Sequence, residues 1–364
     1  MHRTGNSNAT LLTASNLMKI RFLTAKIKRK LWAKIVRSTR TRFFYPALYL
    51  SWWHSVLHGK SDRLPQNCFM TAIPNADAGI GHQMANWIAG CWFAKQFNLT
   101  HVHSPFSSTK WEQLLGFGEK VIPTKSMLSE NGYKCVSLQI FDEYDNTEVD
   151  RVRKIISSYK GCKVVFVLEQ DQFYHDQFGV CSEIQSLFFG ANARQNDRLL
   201  YTPDHFNVAI HVRRGDIVQG NHNRNTNLQM RWQDADYFYK LLSNVLASID
   251  CQRRIKIYLF SQGSQDEFKH FENLGDIEYC LEMDAPSSFL HMIHADLLIT
   301  SKSSFSYKPA LISRGIKVCP QHFWHGYPNK DDWFLAADDG SLSQRDRSRL
   351  SAILRQTDKI ARQS

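Results

Sequence analysis

The chemistry-bearing residues concentrate in three short segments. The sharpest is Val208-Ala209-Ile210-His211-Val212-Arg213-Arg214-Gly215-Asp216, in which an apolar run ends abruptly in two guanidinium groups, a glycine and a carboxylate. Guanidinium forks match phosphate oxygens in pairs, and open α/β sheets bind ligands beyond the carboxyl ends of their strands. Two readings fit these residues: a phosphate-binding strand end, or a structural Arg–Asp pair at a strand terminus.

The second segment, Asp77-Ala78-Gly79-Ile80-Gly81-His82-Gln83-Met84, precedes an apolar-faced stretch carrying Met84, Trp87, Ile88, Cys91 and Trp92. Its two glycines let the backbone approach a ligand closely at a helix N-terminus, where unpaired N–H groups favour anions. A tight turn without a ligand is the default for so short a pattern. It has neither the third glycine of a dinucleotide fingerprint nor the G-K-S/T of a P-loop. The third segment, Thr300 to Leu311, places Ser301, Ser303, Ser304 and Ser306 after the apolar Leu297-Leu298-Ile299. Capping of a helix start accounts for such hydroxyls, and the same groups suit a diphosphate.

These segments need a scaffold of strands followed by helices, and the pattern supplies one. Short β-branched or apolar runs predict strands over Cys68–Ile73, Lys163–Leu168, Asn207–Val212, Ile255–Phe260, Asp296–Thr300 and Ile316–Cys319. Helical spacing falls between them, over His82–Phe97, Thr147–Ser158, Ala235–Ala247, Gln265–Phe271, Ser287–His294 and Ser304–Ser313. Alternation of this kind implies βα units and mainly parallel sheets. The polar stretch Ser182–Pro203 reads as a linker between two α/β halves, giving 61–200 and 201–364, the latter ending in a helix.

Asp234-Ala235-Asp236 matches the D-x-D of metal-dependent sugar transferases. It also begins the amphipathic Tyr237, Leu241, Leu242, Val245 stretch, where carboxylates complement the positive helix end. We read it as a cap and expect no metal ligands here. The eight cysteines include no C-x-x-C, so buried thiols are expected, and the sequons at Asn8 and Asn98 do not settle the compartment.

The net charge of +11 over 364 residues would point to nucleic acid if it were spread over the body. Residues 1–60 hold 12 Lys/Arg and no Asp or Glu, whereas the remainder carries 33 basic and 34 acidic residues. A nucleic-acid partner is therefore not expected. Within the basic segment Leu17, Ile20, Leu23, Ile27, Leu31 and Ile35 recur at helical spacing among Lys19, Lys26, Lys28, Lys30, Lys34 and Arg37. Such a helix suits the headgroup layer of anionic lipid, and an acid-free N-terminus is also the composition of a targeting segment. The apolar run Phe43–Leu57 is too short for a span and contains Pro46 and His54. A cytoplasmic or peripheral inner-membrane location is expected for a bacterial source, with a Golgi membrane as the alternative.

Over about residues 67–320 the chain resembles the α-1,2-fucosyltransferases and related fucosyltransferases. Their G-x-G-N-Q-M, H-x-R-R-G-D and N-S-S-F-S-W-W segments correspond in order to Gly79–Met84, His211–Asp216 and Lys302–Lys308. The resemblance implies two Rossmann-like domains facing each other across a cleft, the GT-B type. It also implies inverting transfer of fucose from GDP-fucose to a hydroxyl of a glycan or glycolipid acceptor, α-1,2 favoured, without a cofactor or metal. On this analogy Arg214 contacts the β-phosphate. His211, Arg213, Asp216, Ser303, Ser304 and Ser306 complete the donor site, and Gly79, Gly81 and Gln83 form the loop at the reaction centre. Asp77 and His82 are the candidate bases. The chain departs from the pattern at His82, at Tyr307 and Lys308, and at Phe260-Ser261-Gln262-Gly263, which lacks acidic residues.

Overall fold

The computed structural model describes residues 67–361, except 160, 171, 173 and 216–229, together with a few isolated positions between 31 and 44; side chains are described as far as 355. The basic helix expected in 1–60, its membrane contact and Asp216 therefore lie outside the described residues.

Two parallel sheets organise the chain. The first contains β1 (Cys68–Ala72), β2 (Thr100–His101), β3 (Lys134–Ser137) and β4 (Val164–Leu168) in the order β2-β1-β4-β3. The second contains β5 (His205–His211), β6 (Arg254–Phe260), β7 (Ile277–Cys280), β8 (Leu297–Ile299), β9 (Ile316–Pro320) and β10 (Trp333–Ala336) in the order β10-β9-β8-β5-β6-β7. Every pairing is parallel, with His211 opposite Phe260 and Val208 opposite Leu297. The second order is that of a Rossmann sheet, winding outward from β5 in both directions. The structure thus has the two-halved α/β architecture expected for the GT-B type.

Continuous burial explains why these strands read as unbroken apolar runs. β4 is buried at all five positions and β5 from Phe206 to His211, as parallel strands covered on both faces must be. The short strands β2, β3, β7 and β10 escaped the sequence pattern; β2 spans two residues and β3 carries mostly exposed ones.

The helices are α1 (Ile80–Gln96), α2 (Thr109–Leu115), α3 (Thr124–Ser129), α4 (Asn146–Ser158), α5 (Cys181–Phe189), α6 (Ala235–Leu246), α7 (Ala285–His294), α8 (Ser304–Ile312) and α9 (Gln344–Ala361). The helix expected over Gln265–Phe271 is a 3-10 segment, Gln265–Leu274, capped by Ser264. The Ser182–Pro203 stretch is not a loose linker. It contributes most of α5 and a 3-10 turn over Asn192–Asn196, because its polar residues have defined partners. The Arg194 guanidinium stacks 3.7 Å from the Phe188 ring and donates to the Leu114 carbonyl at 2.6 Å. Gln185 donates to the Leu311 carbonyl at the end of α8 at 3.1 Å.

One buried apolar cluster runs through both halves, joining Met84, Trp87 and Phe93 of α1 to Phe289 of α7 and Tyr307, Ala310 and Leu311 of α8. The halves therefore meet through a largely apolar seam in which α8 packs on α1 and α5. Among the described residues no helix is long and apolar enough to cross a membrane.

Candidate active site

In the first sheet β1 and β4 form the central pair, and the second sheet reverses its winding once, between β5 and β8. Ligands of doubly wound sheets bind beyond the strand ends at this switch point. The segments after β1, β4, β5, β8 and β9 all border one cavity of about 1200 Å³ between the halves. Gly79, Gly81 and His82 enter it after β1, His175 after β4, Arg213 after β5, Lys302, Ser304 and Phe305 after β8, and Gln321 to Trp324 after β9. Its charged lining residues are Arg213, Arg231 and Lys302; among the described residues no carboxylate lines it. The charge lining the cavity is therefore positive and favours anions.

Two helix N-termini reinforce that charge. α1 starts after Gly79 with no side-chain cap and no acidic residue in its first turn. α8 starts after Ser303, whose hydroxyl accepts from the Phe305 N–H at 3.2 Å. The two starts touch: a Cβ on Gly81 would lie 2.8 Å from the Ser304 carbonyl carbon. Glycine at 81 is thus required by close approach between the halves, beyond any need of a turn.

The adjacent arginines part company, as neighbouring residues at a strand end do. Arg213 borders the large cavity and also a smaller one of about 380 Å³, lined by His211, Arg214, Phe260, Ser261, Gln262, Met283, Ala285, Ser288 and Phe305. It donates to the Ser303 Oγ at 3.1 Å, which joins the strand end to the α8 cap. Arg214 is only 3% exposed and borders the smaller cavity alone. Its Nε donates to Glu267, its Nη1 to the carbonyls of Arg213 (2.9 Å) and Gln233 (3.0 Å), and its guanidinium lies 4.3 Å from the Trp232 ring centroid. Of the two arginines only Arg213 borders the larger cavity, while Arg214 lines the smaller one beside it and is tied to Glu267 and to two backbone carbonyls.

Other expected site residues divide in the same way. His211 is buried, with Nδ1 2.8 Å from the Ser301 Oγ, and burial followed by the neighbouring Arg213 charge lowers its pKa to about 3. It is a neutral positioning group at neutral pH. Ser304 borders the cavity, whereas Ser306 is buried and closes the turn onto Ser301. Gln83 points away from the cavity. Its amide donates to the Ala78 carbonyl (2.7 Å) and Ser107 Oγ (2.8 Å) and accepts from the Ser107 N–H (2.9 Å), so it supports the loop from beneath. Asp77 is exposed and lies outside the cavity lining, next to Ala78, which is part of it; His82 lines the cavity.

Asp234 accepts from the Tyr237 N–H at 2.7 Å as the cap of α6, and Asp236, in the first turn, has a side chain that is 96% exposed. Among the described residues no cluster of three His, Cys, Asp or Glu side chains is placed to hold a metal ion.

Sequence reasoning missed His175, Arg231 and the Gln321–Trp324 segment. His175 and the 321–324 segment follow the parallel strands β4 and β9, which was the available signal; nothing local marks Arg231. Lys302 lay inside a quoted motif but went unassigned. Its N–H donates to Gln233 Oε1 at 2.9 Å and its ammonium lies 3.3 Å from Asp338, which also holds His322 at 2.9 Å.

No family model and no curated protein matches the sequence. Solved structures of similar fold include POFUT1 in complex with GDP-fucose, at 14% identity over 71% of this chain and 98% of that one, with a TM-score of 0.44. NodZ alpha-1,6-fucosyltransferase co-crystallised with GDP is similar at 13% identity, covering 68% of this chain and 93% of that one, with a TM-score of 0.39. A mutant of Arabidopsis thaliana FUT1 in complex with GDP is similar at 10% identity, covering 86% and 81%, with a TM-score of 0.39.

Proposed function

We propose that this protein is an inverting glycosyltransferase that moves fucose from GDP-fucose to a hydroxyl of a glycan or glycolipid, with α-1,2 linkage favoured. The observation that carries the reading is Arg213 at the switch point of a Rossmann sheet, beside the α8 N-terminus, in a cleft whose described lining has no carboxylate. Such a site binds a nucleoside diphosphate. The choice of guanosine and fucose rests on the order of the three motifs at 79–84, 211–216 and 302–307.

As the bond from the sugar to the diphosphate breaks, negative charge accumulates on the β-phosphate while the sugar gains oxocarbenium character. Arg213, Lys302 and the N–H groups of α8 supply fixed positive charge to that leaving group. Metal independence is part of the proposal, since these groups take the place of a divalent ion. With the leaving group on the second half, inversion brings the acceptor from the first. The aromatic faces of Phe323 and Trp324, at the same cleft, suit the apolar face of a sugar ring. The N-terminal basic segment would bring this site to an anionic membrane surface.

The test is release of nucleoside diphosphate from a panel of nucleotide sugars, with and without a chelator. Chelator-resistant turnover confined to GDP-fucose is expected. Preference for another donor overturns the fucose assignment, loss of turnover with chelator overturns metal independence, and absence of nucleotide binding overturns the transferase reading.

A further inference from the structure

We propose that His175, oriented by Asp176, is the base that accepts the proton of the attacking hydroxyl, an inference that rests on the glycosyl-transfer reading above. Among the described residues three histidines line the cleft: His82, His175 and His322. His322 pairs with Asp338, which also holds Lys302, so it belongs to the cationic side that receives the leaving group. His82 sits in the first turn of α1, where the positive helix end opposes an imidazolium. His175 is on the first half, across the cleft from Arg213, and has a carboxylate partner: its Nδ1 lies 3.0 Å from Asp176 Oδ1. A carboxylate on Nδ1 favours the tautomer with its lone pair on Nε2 and stabilises the imidazolium formed on proton transfer.

The dyad is held by the other half of the molecule. A Cβ on Gly326 would lie 2.3 Å from Asp176 Oδ1, the atom that holds the His175 ring. The Gly326 N–H donates to the His175 carbonyl at 3.4 Å, and the Gly326 carbonyl accepts from the Tyr307 hydroxyl at 2.7 Å. The Gly326 contacts reach the dyad from the second half, adding to the Asp176 and Glu143 contacts made within the first. The titratable groups facing it are Asp176, Glu143, which accepts from the His175 N–H at 3.3 Å, and the buried His325, with Lys308 behind it. Burial raises the pKa of Glu143 and lowers those of His325 and Lys308.

In the step proposed, the acceptor oxygen forms a bond to the anomeric carbon, its proton passes to His175 Nε2, and the anomeric C–O bond breaks with its electron pair going to the nucleoside diphosphate. Asp176 acts through the ring as a positioning residue and Gly326 through Asp176.

The experiment follows GDP release from GDP-fucose by the full-length chain, with water and an oligosaccharide panel as acceptors, alongside GDP binding as a check of the fold. His175→Ala is expected to lower turnover about a hundredfold or more with GDP affinity unchanged, and to flatten the acid limb of the pH profile. Sodium azide, a nucleophile with no proton to lose, should restore GDP release and yield the fucosyl azide. Asp176→Asn should shift the acid limb and lower kcat at constant KM, with partial rescue in Asp176→Glu. Undiminished turnover in His175→Ala overturns the proposal, as does loss that azide fails to rescue while GDP still binds. If the wild-type chain releases diphosphate from no nucleotide sugar, the transferase reading falls and this one with it; if another sugar is the donor, the same variants are read with that donor.

Discussion

Gly81 of the first half lies so close to Ser304 of the second that an added Cβ would sit 2.8 Å from both the carbonyl carbon and the Cβ of that serine. The contact joins the starts of α1 and α8, the two helices whose N-termini face the cleft. Ser304 cannot yield without moving its helix, because backbone atoms make the contact. Gly81→Ala should therefore separate the two starts. We expect a loss of about 1–3 kcal/mol in stability from overpacking, and a fall in kcat on the order of a hundredfold from a displacement of about 1 Å at the site. Thermal unfolding and turnover check this together. A variant with wild-type values of both would show that the seam does not hold the site.

The two arginines should fail differently. Arg213→Ala removes a cleft-facing cation that donates to the Ser303 hydroxyl, so turnover should drop about 10²- to 10³-fold, with a smaller loss of Tm than in Arg214→Ala. Arg214→Ala strips Glu267 of its partner and Trp232 of the guanidinium it covers. It should cost about 3 kcal/mol, the lower end for breaking a buried pair, because the Glu267 side chain remains 35% exposed. Paired denaturation curves and donor titrations separate the two; equal Tm losses would sink the division of labour.

The D-x-D pair gives a third check. Asp234→Ala should destabilise the fold by about 1 kcal/mol through loss of the α6 cap, whereas Asp236→Asn should change neither stability nor turnover. A metal site would instead make both variants lose activity and respond to added Mn²⁺, and that pattern would return these residues to catalysis.

Lys308 provides a pH test of the seam. It is fully buried on α8, donates to Gln177 of the first half, and burial pushes its pKa down to about 7. The unfolded chain keeps the ordinary lysine value near 10.4, so between these limits the unfolded state binds more protons than the folded one. Stability should therefore rise with pH from about 7 to about 10 and be lowest, with respect to this group, below 7. Lys308→Met should flatten that rise. Denaturant midpoints at neutral and alkaline pH measure the slope; equal slopes in both proteins would show that Lys308 does not titrate in this range.

Much of the scaffold was legible because parallel strands buried on both faces must be apolar throughout, as Val164–Leu168 and Val208–Ile210 are. The pattern was silent where burial is partial: Lys134–Ser137 and Ile277–Cys280 sit at sheet edges and carry mixed residues. Capping was legible too, since Asp234 and Ser303 satisfy N–H groups a few residues away and need no tertiary partner.

The site itself was legible only as a set of strand ends. Sequence by itself determined that Arg213 and Arg214 leave a core strand together and that glycines and hydroxyls start the neighbouring helices, because those are local consequences of residue type. Which arginine faces the cleft, that Gln83 is consumed in holding the Ser107 loop, and that His175 meets Asp176 under Gly326 were decided by the tertiary structure. Alternation along a strand sets adjacent side chains apart, but only the docking of one sheet against the other determines which of them meets the cavity.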